Sequence, residues 1–291
     1  MKIIDLLNSG HTTISCELFP PKKGEDLPQA QEVVKQIAAL HPAFMSVTYG
    51  AGGGTSATTV RIAQEVQKSH VPALAHLTCV SSTRDEISER LSELKKAGIE
   101  NILALRGDIP EGKDFPSPNQ YHYASELIRE IKARGDFCIG GACYPEGHVE
   151  CAHKTEDIRH LHEKVEAGCD FLTSQMFFDN DLFYNFMFRA LAGGVNVPII
   201  AGIMPVTNAK QITRICSLSG TILPQRFKAI ADRFGSDPKA MKQAGIAYAT
   251  EQIINLISNG VPHIHIYTMN KPDIAAAIFH NLSDVISCDG N

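Results

Sequence analysis

A chain of 291 residues, 44% hydrophobic and 20% charged, is long enough for one large core or two small ones. Its formal net charge of -5, with no basic block, argues against a nucleic-acid groove or an anionic membrane surface as partner and favours a small molecule. No apolar run reaches the 18 residues of a membrane span and Asp5 interrupts the apolar start, so the chain reads as cytoplasmic, with its eight cysteines (among them Cys16, Cys79, Cys138 and Cys143) as small buried hydrophobes.

A short amphipathic helix is expected around Ile3 to Leu7, then an alternating strand from Thr12 to Pro20 that sets Glu17 among apolar neighbours. Helical periodicity over 27 to 40 (Leu27, Val33, Val34, Ile37, Leu40) leads to a second strand, Phe44 to Gly50, and a glycine-rich loop. A helix through Val60, Ile62, Ala63 and Val66 precedes a third strand, Pro72 to Cys79, with His76 in its middle. Thr83 is spaced to cap the next helix, over 83 to 97, ahead of Glu86. The fourth strand starts at Asn101 and ends abruptly in Arg106, Gly107 and Asp108. A Pro- and charge-rich excursion over 110 to 121 is long enough to be a working loop.

After a helix at 123 to 134, Phe137 to Pro145 is the fifth strand, running into Glu146 and His148. A helix carrying Ile158, Leu161 and Val165 closes at Gly168, and Phe171 to Phe178 is the sixth strand, with Gln175 inside it. A helix at 181 to 191 gives way to the seventh strand, Pro198 to Pro205. Helices near 208 to 217 and 237 to 258 precede the eighth, His263 to Met269, and a last helix at 271 to 281. Eight strands alternating with helices and no break in composition are the arithmetic of an α/β protein of one domain, a (β/α)8 TIM barrel over residues 1–291 with a short N-terminal helix. A doubly wound open sheet is the alternative, but no dinucleotide fingerprint opens any helix.

Strand C-terminal ends line the mouth of such a barrel, which gathers Glu17, Thr48, His76, Asp108, Tyr144, His148, Gln175 and Tyr267 at one rim. A carboxylate on a buried strand has its pKa raised by desolvation, as a general acid near neutral pH requires, unless Glu17 is paired with a cation inside the barrel. For His76 a satisfied core histidine is the commoner fate, and Asp108 pairing with Arg106 across a turn is ordinary loop chemistry. The Gly50 to Ser56 loop fits neither a P-loop nor a Rossmann turn and reads as a tight strand-to-helix turn. His148, Cys151 and His153 match no zinc spacing, so no metal is expected. Lys164 reads as a solvated charge at a helix C-terminus.

Seven stretches then acquire a common meaning: Ser15-Cys-Glu-Leu-Phe-Pro-Pro21, Ser46-Val-Thr-Tyr-Gly50, His76-Leu-Thr-Cys79, Leu105-Arg-Gly-Asp108, Tyr144-Pro-Glu-Gly-His148, Ser174-Gln-Met-Phe-Phe-Asp179 and His265-Ile-Tyr-Thr-Met-Asn270. In this order, each at an expected strand end, they resemble the methylenetetrahydrofolate reductase family in its short prokaryotic form, from about Ser15 to about Leu282. The resemblance implies FAD across the barrel mouth, contacted by Thr48, His76, Leu105, Arg106, Gly107, Asp108, Tyr123, Ala142, His148, Asp157 and Lys164. It implies two successive hydride transfers, from NADH or NADPH to the flavin and from the flavin to 5,10-methylenetetrahydrofolate. Glu17 would be the acid that opens the folate ring and Asp108 the charge that stabilises the resulting cation. Gln175, Gln211, Tyr267 and Lys271 would be further substrate contacts.

Two positions depart from the family pattern: Ile215 where relatives carry a stacking aromatic, and Lys271 where they often carry arginine. Ile215 keeps open a second reading, a flavin-binding electron-transfer subunit of a larger folate-reducing assembly with another donor. A homo-oligomer or a partner subunit is compatible with either. A flavin-free barrel that transfers a methyl group from a pterin is the rival within the same fold.

Overall fold

Residue parity sorts the strands of this protein into two cores. The computed structural model describes residues 1–21, 26–49, 56–80, 82–109, 115–151 and 153–287. Its strands are β1 (Thr13–Leu18), β2 (Met45–Val47), β3 (Ala73–Thr78), β4 (Asn101–Leu105), β5 (Cys138–Cys143), β6 (Phe171–Ser174), β7 (Ile199–Ile203) and β8 (His263–Ile266). They pair in parallel and in chain order into a closed barrel, β8 returning to β1 with Thr13 beside His263 and Cys16 beside Ile266. One parity (Ile14, Cys16 and Leu18 of β1, Ala75 and Leu77 of β3, Ile102 and Ala104 of β4) belongs to the large apolar layer shared with the helices. The other parity points inward, because a parallel strand covered on both faces has no solvent side.

The interior is apolar at one end only. Leu74, Leu103, Cys138, Phe171 and Ile200 cluster there with Phe44 and with Ile3 and Leu7 of α1 (Ile3–Leu7). Helix α1 thus plugs the N-terminal end, tied by the Ile3 N–H to Asn101 Oδ1 at 2.8 Å. Above this plug the inward positions become polar. Ser15 Oγ donates to the Ile264 carbonyl at 3.0 Å, so its oxygen accepts from His265 Nδ1 at 2.8 Å, which leaves His265 Nε2 to accept from Ser46 Oγ at 3.1 Å.

The outer helices are α2 (Leu27–Ala38), α3 (Ser56–Lys68), α4 (Arg84–Lys96), α5 (Ala124–Arg134), α6 (Lys154–Glu166), α7 (Asn180–Ala192), α8 (Ile212–Ser219), α9 (Gln225–Phe234), α10 (Pro238–Ser258) and α11 (Pro272–Ser287). Thr83 and Glu86 form the expected capping box of α4. Several strands are shorter than the apolar runs suggest. β6 stops at Ser174, so Gln175 lies just past the strand rather than inside it; the β6–β7 ladder spans only Leu172 and Thr173. β8 stops at Ile266 because Met269 and Asn270 turn through left-handed backbone, with φ of 53° and 55°. Helix α9 was not expected at all. The glycine-rich stretch at 50–55 and the excursion at 110–114 lie outside the described residues. Among the described residues no helix is long and apolar enough to cross a membrane.

Candidate active site

Glu17 has the inward parity of Thr13 and Ser15, one residue before β1 ends, and is 7% exposed. The inner-barrel ion pair considered for it is not there: no described residue forms a salt bridge with its carboxylate. Burial alone pushes that carboxyl up to about 8. His76, on β3, is equally buried, and its Nε2 has no hydrogen-bond partner. That corrects the expectation of a satisfied core histidine. Burial holds the ring neutral, with its pKa lowered to about 3. Thr48 follows β2 and is held through its backbone, its N–H on the Leu18 carbonyl at 2.9 Å and its carbonyl accepting from Thr59 Oγ1 at 3.0 Å.

Tyr267, the inward residue after β8, donates from its hydroxyl to the Ser174 carbonyl at 2.6 Å. Gly202 makes this possible: a Cβ there would meet the Ser174 carbonyl oxygen and lie 2.7 Å from Tyr267 Cε2. The same peptide is held on its other side, the Gln175 N–H donating to the Cys143 carbonyl at 2.7 Å, and the Gln175 side chain folds back on the Met176 N–H at 2.9 Å. Burial raises the pKa of the Tyr267 hydroxyl well above its ordinary value, and the Glu17 carboxylate, once ionised, raises it further.

On the β4–β5 side the donors collect. Arg106 does not pair with Asp108 across the turn. Its two terminal nitrogens instead reach both oxygens of Glu150 at 2.6 Å each, leaving Asp108 exposed at the rim. Gly107 between them has φ of +86°, and a Cβ on it would lie 3.2 Å from Thr78 Cβ, so no larger residue fits this turn without strain. The ring of His148 meets Tyr144 edge-on at 4.6 Å, and its Nδ1 accepts the Glu150 N–H at 3.2 Å. Burial, then the Arg106 charge, lowers the His148 pKa. Asp157 is itself buried; burial raises its pKa, and the charges of Lys164 and His148 oppose the rise.

Lys164 is not the solvated helix-end charge of its sequence context. It lies under β5 with Nζ donating to the Ala142 carbonyl at 2.7 Å, and burial lowers its pKa. Leu105 ends β4 half-buried with the inward parity.

Other expected contacts sit further out. Tyr123 precedes α5 and is 61% exposed, while Gln211 and Lys271 are exposed on the loops after β7 and β8. Lys271 lines a cavity of about 570 Å³ together with Thr207, Lys210 and Lys242. Ile215 packs against the apolar cluster of Met176, Phe178 and Phe227. Among the described residues no group of His, Cys, Asp and Glu is arranged to hold a metal ion. Exposed apolar side chains stand at the same end: Phe19, Ile109, Tyr123, Val149 and Met269 are all on segments that follow strands. Glu150 is the residue that sequence reasoning missed, and its spacing two positions after His148 was the one signal available.

A closed parallel barrel that gathers an unpaired buried carboxyl and a shelf of Arg, Lys and His donors at its strand C-terminal ends has the architecture of a barrel enzyme, whose ligands bind at that mouth. The family model described as methylenetetrahydrofolate reductase matches residues 2–283, and the chain belongs to that family. It is 32% identical over 94% of its length to a 5,10-methylenetetrahydrofolate reductase of Pectobacterium carotovorum, covering 91% of that protein. The Escherichia coli protein of the same name is 34% identical with the same coverage. A maize methylenetetrahydrofolate reductase (NADH) is 34% identical over 97% of this chain, which spans 50% of that longer protein. Among solved structures, a Clostridium thermocellum protein described as binding two copies of 5-methyl-5,6,7,8-tetrahydrofolic acid shares the fold, with TM-score 0.63 at 15% identity over 99% of this chain and 100% of that one.

Proposed function

We propose that the protein is a cytoplasmic flavoenzyme that reduces 5,10-methylenetetrahydrofolate to 5-methyltetrahydrofolate, with FAD as cofactor and NADH or NADPH as donor in alternation with the folate. The observation that carries the reading is Glu17, a buried carboxyl with no ion-pair partner among the described residues, one residue from the end of a barrel strand. Two features of the donor set support FAD as the cofactor. The orphaned His76 Nε2 calls for a partner, and Arg106, His148 and Lys164 supply donors for the polar and anionic portions of the cofactor.

When bound, FAD supplies the hydride chemistry, and the chain orients and charges the site around it. Glu17, still protonated near neutral pH with its pKa at about 8, gives its proton to the folate so that the five-membered ring opens. The exposed carboxylate of Asp108 offers a negative charge to the cation that opening creates. Gln175, Tyr267, Gln211 and Lys271 hold the pterin and its tail.

Glu17→Gln keeps size and hydrogen-bonding capacity while removing the acid. In stopped flow, bleaching of the flavin by NADH should persist, while its reoxidation by methylenetetrahydrofolate slows by about a hundredfold or more. Equal losses in both half-reactions would make Glu17 a structural residue. The second reading, an electron-transfer subunit, draws on Ile215, which presents no aromatic face to a nicotinamide. It predicts that NADH fails to bleach the wild-type flavin while an artificial donor succeeds.

A further inference from the structure

The segment after β5 is held more firmly than its surface position requires. The Gly147 N–H returns to the Tyr144 carbonyl at 3.0 Å, and the Cys151 N–H to the His148 carbonyl at 2.9 Å. Glu150, on this segment, makes two contacts to different residues of the shelf. Its carboxylate takes both terminal nitrogens of Arg106, and its backbone N–H donates to His148 Nδ1. The first contact locks a guanidinium that ends a different strand, since a bidentate fork fixes orientation as well as distance. The second determines a tautomer. A nitrogen that accepts an N–H carries no proton, so the neutral His148 ring keeps its hydrogen on Nε2 and offers a donor there. The pair is half in solvent, with the Arg106 side chain 21% exposed and that of Glu150 54% exposed, so its worth to stability is small. A contact of this geometry with little stabilising value has its use elsewhere.

We propose that Glu150 is a positioning residue for the cofactor: through the Arg106 fork and the His148 tautomer it sets two donors from β4 and β5 in one fixed arrangement for the polar part of a bound flavin nucleotide. The inference rests on the flavin reading of the mouth. It differs from the contacts that the family resemblance implies, because Glu150 carries like charge to the cofactor's phosphates and acts only through its neighbours.

The test uses purified protein loaded with FAD, diluted serially while released flavin fluorescence gives the dissociation constant. Glu150→Gln keeps the backbone N–H and the side-chain shape but ends the charged fork. It should weaken flavin binding by roughly tenfold, the scale of one charge-assisted bond. Nitrogen NMR of the ring should find the His148 proton still on Nε2. The melting temperature of the flavin-free protein should stay close to wild type. Arg106→Gln supplies the control that a merely structural role would fail: in that background Glu150→Gln should cost almost nothing further. Flavin binding unchanged or tighter in Glu150→Gln overturns the proposal, as does an undiminished loss in the Arg106→Gln background. Wild-type protein that takes up no FAD would sink the flavin reading itself, whereas tight wild-type binding that is indifferent to Glu150 sinks only the role given to this residue.

Discussion

Lys164 lies across the outside of β5 with its ammonium on a main-chain carbonyl, a position whose purpose a charge-removing substitution reveals. A half-buried cation whose ammonium sits on a carbonyl is weak evidence for stability, because its desolvation offsets what the hydrogen bond contributes. Lys164→Met retains the stem that packs near Gly141, where a Cβ would lie 3.7 Å from Lys164 Cδ. Folded-state stability should therefore change little or rise, while flavin retention on dilution should fall by roughly tenfold to a hundredfold, the range for one charge-assisted bond. Lower stability with unchanged retention would mark Lys164 as a packing residue. Its sequence context could not reveal this position, because a lysine near the C-terminal end of an amphipathic helix is ordinarily solvated. His76 was illegible for a related reason. Strand parity shows that it points inward, but whether a ring nitrogen finds a partner depends on residues far away in the chain. Glu17 was legible because an acid within an apolar alternating run has few explanations.

At the scale of elements, helix α9 is the piece that the chain-order reading passed over, and its anchor is Phe227. That ring stacks on Phe178 with centroids 5.3 Å apart and planes within 3°, and meets Tyr248 at 4.7 Å. The segment that follows β7, through α8 and α9, is thereby fastened to the loop after β6. Phe227→Ala removes a fully buried aromatic and should cost about 3–5 kcal/mol, read as a lower denaturant midpoint. Phe234→Ala, at the exposed end of the same helix, should stay within about 0.5 kcal/mol of wild type. Similar losses for both would mean that α9 is held by its whole length rather than by one ring. The signal for α9 was present in its own residues, apolar at Phe227, Ile230, Ala231 and Phe234 and closed by Gly235, which is one face of a helix. The strands, by contrast, were legible as apolar runs but not in their ends. A run continues into the mouth as long as side chains are apolar, whereas the ladder stops where the carbonyl of Ser174 finds a hydroxyl instead of a neighbouring strand.

For the molecule as a whole, a barrel filled with apolar residues at one end and neutral polar groups at the other has a stability that bends with pH on both sides. Eight regularly spaced strands made the closed barrel readable from the chain, but the protonation of its interior follows from burial, which only the assembled fold supplies. His76 and His265, each held neutral at a pKa of about 3 against an ordinary 6.5, bind fewer protons folded than unfolded. Their contribution is present above pH 6.5 and is lost as pH falls towards 3. Glu17 acts in the opposite sense. Its pKa of about 8 exceeds the ordinary 4.5, so between these values the folded protein holds a proton that the unfolded chain has released, and stability declines as pH rises. Glu17→Gln cannot ionise and should escape this decline. With FAD in excess, the difference in unfolding free energy between the variant and wild type should be flat below pH 4.5, widen in the variant's favour through neutrality, and level off above about 8. Its full extent should be several kcal/mol, at about 1.4 kcal/mol per unit of displacement. The same substitution abolishes the proposed acid, so the variant gains stability over the pH range in which it loses folate reduction, as expected where an unpaired buried acid is kept for chemistry. Denaturant titrations from pH 4 to pH 9 measure the difference directly. A difference that does not vary with pH would mean that the folded protein stabilises the Glu17 carboxylate after all, and would remove the physical basis for calling it the acid.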